Sequence, residues 1–324
     1  VTIEPSRSGT PKRAFGAALA VLLVATVALA AYFGSERLDF FDLDPTQSAI
    51  LFEIRLPRVL LGATVGASLA VAGASLQSLL RNPLAEPYLL GVSNGAALGT
   101  MLAFVFFGDL EVARPILAFG GAAVATFAVY QMARSRAGMN VERLVLSGVI
   151  VTTFLSSVIV LFTSVLDATR LRSFTFWLLG DLSQATWSGF YATLAVVVAG
   201  TALLASQARA LNLMMIGERD AFDFGVEVKR VRLTVFATAA ALVGLSVAAS
   251  GSVGYVGLIV PHLMRMTVGS DNRVVVPFSA VAGAIFVVSA DTLARTAIAP
   301  RELPVGAITA LIGAPLFIYL LRRG

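Results

Sequence analysis

Nine stretches of this sequence run for 17 to 32 residues without a single Asp, Glu, Lys or Arg. They are Ala14–Ser35, Val59–Leu80, Pro87–Gly108, Pro115–Ala133, Leu144–Leu166, Leu182–Ala208, Leu233–Met264, Val274–Ala290 and Leu303–Leu321. A helix crossing the hydrocarbon core of a bilayer needs roughly 17–25 such residues. Only 13% of the residues are charged and 57% are hydrophobic, against about 25% charged in an average soluble protein. A soluble domain of 324 residues has no way to cover its surface with so few polar groups. The favourable solvent is lipid.

The seventh stretch is too long for one crossing. Its 32 residues make a helix of about 48 Å. Ser250, Gly251, Ser252, Gly254 and Gly257 interrupt it, a helix-breaking cluster. It therefore reads as two legs, Leu233–Ala249 and roughly Tyr255–Val268, the second short or irregular around Pro261 and Arg265. The expected fold is an all-α polytopic membrane protein with about ten transmembrane helices. Residues 1–13 form a tail, and 14–324 form one transmembrane domain with a large loop at 209–232.

Charge decides the sidedness. Arg7, Lys12 and Arg13 precede the first span and Arg322 and Arg323 follow the last. The positive-inside rule puts both termini in the cytoplasm, and alternation from there puts 16 of the 24 basic residues inside. Nine spans would strand the arginine-rich end outside. The first stretch also resembles a signal peptide, with Lys12-Arg13, an apolar run and Ala28-Leu29-Ala30. The run is long for a signal and further spans follow it, so it reads as an uncleaved span.

Small residues recur at fourfold spacing, as Gly62 and Gly66 and as Gly91, Gly95 and Gly99. Such rows let helix backbones approach closely in lipid. Two Pro-rich joints, Asn82–Pro87 and Pro300–Gly306, interrupt the spans. Irregular backbone at membrane depth is tolerated inside protein or beside a water-filled cavity, so these joints are either tight turns or part of a transport path.

Catalytic machinery is not legible. The two lysines, Lys12 and Lys229, are each followed by arginine, so no Walker A loop exists on the chain. The chain has one histidine, His262, and no cysteine, which argues against a site for bare metal. No Asp-rich motif sits in a span. Asp291 and Glu86 are the carboxylates nearest the spans, and neither has a second carboxylate on its helix face, so proton coupling has no clear support. The basic residues lie between apolar runs and form no nucleic-acid patch.

The loop Arg209–Arg232 mixes charges with Leu211, Leu213, Met214, Met215, Ile216, Phe222 and Phe224. Short amphipathic helices resting on a soluble partner need this pattern, and so do helices resting on the membrane surface. Within it lies Gly217-Glu218-Arg219-Asp220-Ala221-Phe222-Asp223-Phe224-Gly225. Glu218, Ala221 three positions on and Gly225 four further resemble the coupling loop of ABC importer permeases.

Other segments extend that likeness. Arg55-Leu56-Pro57-Arg58, Gly62, Gly66 and Gly73, Asn82–Pro87, Leu90–Ala96, Gly254–His262, Glu302–Gly306 and Gly313-Ala314-Pro315 follow in order. Together they resemble the FecCD permeases, membrane subunits of ATP-driven importers for iron–siderophore chelates, haem and cobalamin. The likeness runs from about residue 50 to the C-terminus. It implies a subunit without an ATPase site of its own, in a bacterial or archaeal cytoplasmic membrane. It also implies a second permease copy, two cytoplasmic ATP-binding subunits that hold the ATP and Mg, and an external substrate-binding protein.

Residue by residue, the likeness implies that Arg55, Arg58 and Arg295 meet the binding protein. Gly217, Glu218, Ala221 and Gly225 couple to the ATPase. Asn82 and Leu84 form a cytoplasmic gate, and a second gate segment falls near Asn140-Val141-Glu142. There the chain departs from relatives that carry small hydroxyl residues. The rival reading is an ion-coupled secondary transporter of an apolar or amphipathic solute.

Overall fold

The computed structural model describes residues 12–34, 44–108, 110, 112–135, 138–139 and 141–323. The tail 1–13 thus lies almost wholly outside the described residues, as does Asn140 of the second gate segment. Apart from connecting turns, the described chain is helical except for a two-residue antiparallel pair, Arg134–Ser135 with Gly138–Met139, and an isolated bridge between Ile298 and Arg301.

In order, the helices are α1 (Lys12–Tyr32), α2 (Pro45–Ala49), α3 (Leu56–Leu80), α4 (Val92–Phe106), α5 (Ala113–Ala133), α6 (Val141–Thr163) and α7 (Ala168–Leu178). Then follow α8 (Trp187–Ser206), α9 (Ala208–Ile216), α10 (Glu218–Asp223), α11 (Val228–Ser250), α12 (Val256–Val268), α13 (Asn272–Thr296) and α14 (Val305–Arg323). A π-helical segment, Ile50–Arg55, joins α2 to α3 without a break.

Seven described helices are long and apolar enough to cross a bilayer: Lys12–Tyr32, Pro45–Leu80, Ala113–Ala133, Glu142–Thr163, Trp187–Ser206, Val228–Ser250 and Asn272–Thr296. Three apolar helices are shorter, Val92–Phe106, Val256–Val268 and Val305–Leu320. The expectation of about ten crossings is met in part. The long seventh stretch is indeed divided, at Gly251–Tyr255, into α11 and α12. At 13 residues, α12 spans only about 20 Å. It starts inside the bundle, where Gly257 meets Gly73 of α3, and Pro261 lies within it.

Helix α3 is the axis of the fold. It is buried along nearly its whole length, against α13, α11, α12 and α8. A helix buried all round must be apolar or have its polar groups satisfied. Thr64, Ser75 and Ser78 reach carbonyls one turn back, and Ser68 donates to the Leu242 carbonyl across the interface at 3.0 Å.

The small residues set the helix separations. A Cβ on Gly66 would overlap the Gly283 carbonyl, and one on Gly73 would overlap the Gly257 carbonyl. Gly95 and Gly99 of α4 likewise meet the backbone of Gly121 and Leu117 on α5. Gly62 faces only side chains, the nearest a Leu182 methyl 3.3 Å from where its Cβ would lie, a tight contact that a side chain can relieve. Gly73→Ala should therefore cost about 3 kcal/mol through overpacking. Gly120→Ala, whose Cβ meets nothing within 4 Å, should not lower the thermal unfolding midpoint in detergent, since alanine favours a helix interior over glycine.

Two elements depart from expectation. The second stretch was bounded at Val59 by its charges, yet the helix starts at Pro45 because Arg55 and Arg58 are buried within it. Helix α7 was not foreseen. Asp167 caps it, accepting from the Thr169 and Arg170 amides at 3.0 and 2.9 Å. Its Phe174 packs edge-on to Phe104, and the Trp177 carbonyl abuts Gly251 in the bundle. The chain then returns to Trp187, whose indole donates to the Phe52 carbonyl at 2.9 Å. The 11 residues of α7 therefore dip into the bundle and leave by the end they entered.

Candidate functional site

The three arginines expected to face a docking partner do come together, beside the C-terminal end of α1. They are not presented as free cations. Arg55, Arg58 and Arg295 are 4%, 6% and 4% exposed. Their donors go to in-chain acceptors. Arg55 donates to the Ala31 and Tyr32 carbonyls at 3.0 and 2.9 Å, and Arg295 to the Ala30 carbonyl at 3.1 Å. The last carbonyls of a helix have no intrahelical partner and carry its negative dipole end, so cations settle there.

Arg58 and Arg295 also meet two carboxylates. Asp291, 2% exposed, accepts from Arg58 Nη2 at 2.9 Å and Nε at 3.1 Å, and Arg295 Nε lies 3.0 Å from its Oδ2. Glu302 accepts from Arg58 Nη1 at 2.7 Å. Among the described residues, Arg58 and Arg295 thus share Asp291, and Arg58 also reaches Glu302. The cluster ties α3, α13, α1 and the joint before α14 together at one end of the bundle, hereafter the arginine end. Asp291, the best sequence candidate for a proton carrier, is instead clamped between two guanidinium groups.

The opposite end carries the loop. Helices α9 and α10 form as the residue pattern requires. Leu211, Met214 and Ala221 are buried, while Ile216, Phe222 and Phe224 are exposed by 75%, 71% and 74%. Glu218 at the start of α10 pairs with Arg232 at the foot of α11 and lies 3.7 Å from Arg81. Arg81 caps α3 in the left-handed region at φ 51°. Gly225 ends the turn after α10 at φ 80°, where its N–H donates to the Phe222 carbonyl and the Val226 N–H to the Ala221 carbonyl. The partners of Glu218, Arg81 and Arg232, were not singled out from sequence, since nothing local marks them.

The expected gate residues sit at this same end. Asn82 accepts from the Leu84 amide at 2.9 Å and its own N–H donates to the Gln77 carbonyl. Both Asn82 and Leu84 are exposed. Beyond them the two broken regions meet. Glu86 accepts from the Tyr255 amide at 3.2 Å, and the Tyr88 hydroxyl donates to the Val253 carbonyl at 2.9 Å and accepts from the Val253 amide at 3.0 Å. Burial pushes the Glu86 carboxyl above its ordinary range, with the Tyr255 amide opposing. Among the described residues no three His, Asp or Glu side chains gather as a metal site requires.

Comparison with known proteins places this architecture. The model of the FecCD transport family matches residues 16–323. The chain is 45% identical to the cobalamin import system permease protein BtuC of Halobacterium salinarum, over 87% of this chain and 76% of that protein. It is 39% identical to the hemin transport system permease protein HmuU of Yersinia pestis, over 94% of each. A solved structure of a metal-chelate type ABC transporter in an inward-facing conformation superposes with a TM-score of 0.87 at 34% identity, covering 97% of this chain and all of that one. The chain belongs to the FecCD transport family.

Proposed function

We propose that the chain is the transmembrane permease subunit of an ATP-driven, binding-protein-dependent importer that moves a bulky metal chelate inward by alternating access. The observation that carries this reading is the loop. Helix α10 and its C-terminal cap present Phe222 and Phe224 to the outside beside Glu218, Asp220 and Asp223. Anionic lipid repels such an acidic helix, whereas a groove on a soluble ATPase subunit suits it. The loop end is then cytoplasmic, in agreement with its excess of basic residues. Two ATPase subunits bind there, one to each of two permease copies, and hold the ATP and Mg.

The binding protein docks at the arginine end of a cytoplasmic-membrane protein. Its acidic lobes are oriented by the end of the bundle that carries Arg55, Arg58 and Arg295. ATP binding moves Glu218–Gly225, and the Asn82–Leu84 turn opens or closes the inner side of the path. Relatives named for cobalamin, hemin and iron(3+)-hydroxamate support a chelate as the substrate class.

Reconstitution tests this directly. The permease alone, and the permease with its ATPase subunits and binding protein, are placed in liposomes and offered cyanocobalamin, haemin and a ferric hydroxamate. Uptake of one chelate should require ATP and both partners. Uptake by the permease alone on an ion gradient would establish the secondary-transporter reading instead.

A further inference from the structure

The loop is joined to the rest of the protein by more than the Glu218 ion pairs. Asn212 lies on α9, between the buried Leu211 and the nearly adjacent Met214. Its amide nitrogen donates to Asp271 Oδ1 at 2.7 Å, and its amide oxygen accepts from the Asn272 backbone N–H at 2.9 Å and from Asn272 Nδ2 at 2.8 Å. Asn272 is fully buried at the start of α13. Its own amide oxygen lies 2.7 Å from Ser78 Oγ and 3.1 Å from Arg265 Nη2.

Arg265 Nη2 also reaches Ser78 Oγ at 2.7 Å and the Ala74 carbonyl at 3.0 Å. Ser78 has one hydroxyl proton and two candidate acceptors, Asn272 Oδ1 and the Ala74 carbonyl. Two bonds therefore join the loop helix to Asn272, and Ser78 Oγ and Arg265 Nη2, both within reach of Asn272 Oδ1, carry the contact to the last turn of α3. The next residues of that chain are Arg81 and the Asn82–Leu84 turn, and Asn82 is itself bonded to Gln77 of the same turn of α3.

We propose that Asn212, Asn272 and Ser78 transmit movement of the loop to the Asn82–Leu84 turn, with Asn272 the positioning residue at the centre. The proposal rests on the reading of the chain as an ATP-driven permease. Apolar contacts between helices allow sliding. A buried amide lattice with its donors and acceptors matched holds one register, because any slip leaves polar groups unmet in a low dielectric. The Glu218–Arg81 pair is half-exposed on both sides, where screening leaves it little strength. The buried relay is the stiffer of the two paths.

The test uses the complete transporter in liposomes, with whichever of cyanocobalamin, haemin or ferric hydroxamate the wild type imports. Uptake and ATP hydrolysis are measured on the same samples, with the thermal unfolding midpoint of each variant. Asn272→Asp keeps the acceptor for Ser78 and Arg265 but replaces the side-chain donor to Asn212 with an oxygen that repels the Asn212 amide oxygen, leaving only the backbone N–H bond. Asn212→Ala cuts the same joint from the loop side, on a partly exposed helix, and decides the matter if Asn272→Asp does not fold.

Each should lower uptake per ATP hydrolysed by about fivefold or more while hydrolysis continues. Ser279→Ala removes a fully buried hydroxyl outside the relay and should keep the wild-type ratio. An unchanged ratio in Asn212→Ala overturns the proposal. So does a parallel fall of uptake, hydrolysis and unfolding midpoint, which marks a merely structural role. If the wild-type complex shows no ATP-driven uptake, the functional reading fails and the relay falls with it.

Discussion

Asp291→Ala is expected to destabilise the protein by about 3–5 kcal/mol, the usual consequence of leaving a buried charge without its partner. Here it leaves two. Arg58 and Arg295 both lose their contact with the carboxylate. Glu302 pairs directly with Arg58 and is 39% exposed, so it compensates Arg295 only weakly. The two guanidiniums then face each other in a site that water barely enters. The measurement is thermal unfolding of the purified protein in detergent.

Replacing all three residues separates charge balance from packing. Arg58→Met with Arg295→Met on the Asp291→Ala background removes the unpaired buried charges and leaves Glu302, which is 39% exposed and can be solvated; apolar replacement of a buried ion network is often neutral. The triple variant should recover much of the lost stability. If it unfolds as early as Asp291→Ala, the α1 carbonyls left by Arg295 matter more than the ion pairs. If Asp291→Ala unfolds with the wild type, the cluster is not a structural tie.

This cluster shows where sequence reasoning reaches its limit. The absence of charge over nine stretches is a local property, and bilayer thickness converts it into helices. The break at Gly251–Tyr255 was legible for the same reason, since glycine and serine act on their own backbone. Pairing across the fold has no such signal. The Asp291–Arg295 pair at i,i+4 was open to inspection, but Arg58 lies 233 residues from Asp291.

Treating every charge as a span boundary also had a physical cost. Arg55 and Arg58 sit inside a continuous helix because their counter-groups travel with them into the bundle. The rule consequently cut that helix short at Val59. Helix α7 escaped because Asp167, Arg170 and Arg172 make its composition look like an external loop, although Phe174 and Trp177 carry it inward. The loop motif was legible as a pattern of Glu218, Ala221 and Gly225. Its attachment was not, since Arg81, Arg232, Asn272 and Ser78 come from three other helices.

Gly225→Pro is expected to abolish most chelate uptake, by about tenfold or more, while the ATPase subunits continue to hydrolyse ATP. The argument is one of backbone conformation. Gly225 sits at φ 80° with no atom near the place a Cβ would occupy, so space is not the constraint. Proline holds φ near −65° and has no N–H. It therefore excludes the left-handed turn and deletes the bond to the Phe222 carbonyl. Helix α10 then loses its fixed angle to α11, and Glu218 loses the position from which it reaches Arg232. Asparagine enters the left-handed region more readily than other side chains, so Gly225→Asn should import close to the wild-type rate. Measuring both variants in the complete transporter isolates the turn. Normal uptake by Gly225→Pro would show that movement of α10 does not reach the path through this turn, and would leave the buried Asn212–Asn272 contact as the sole remaining route proposed from the loop.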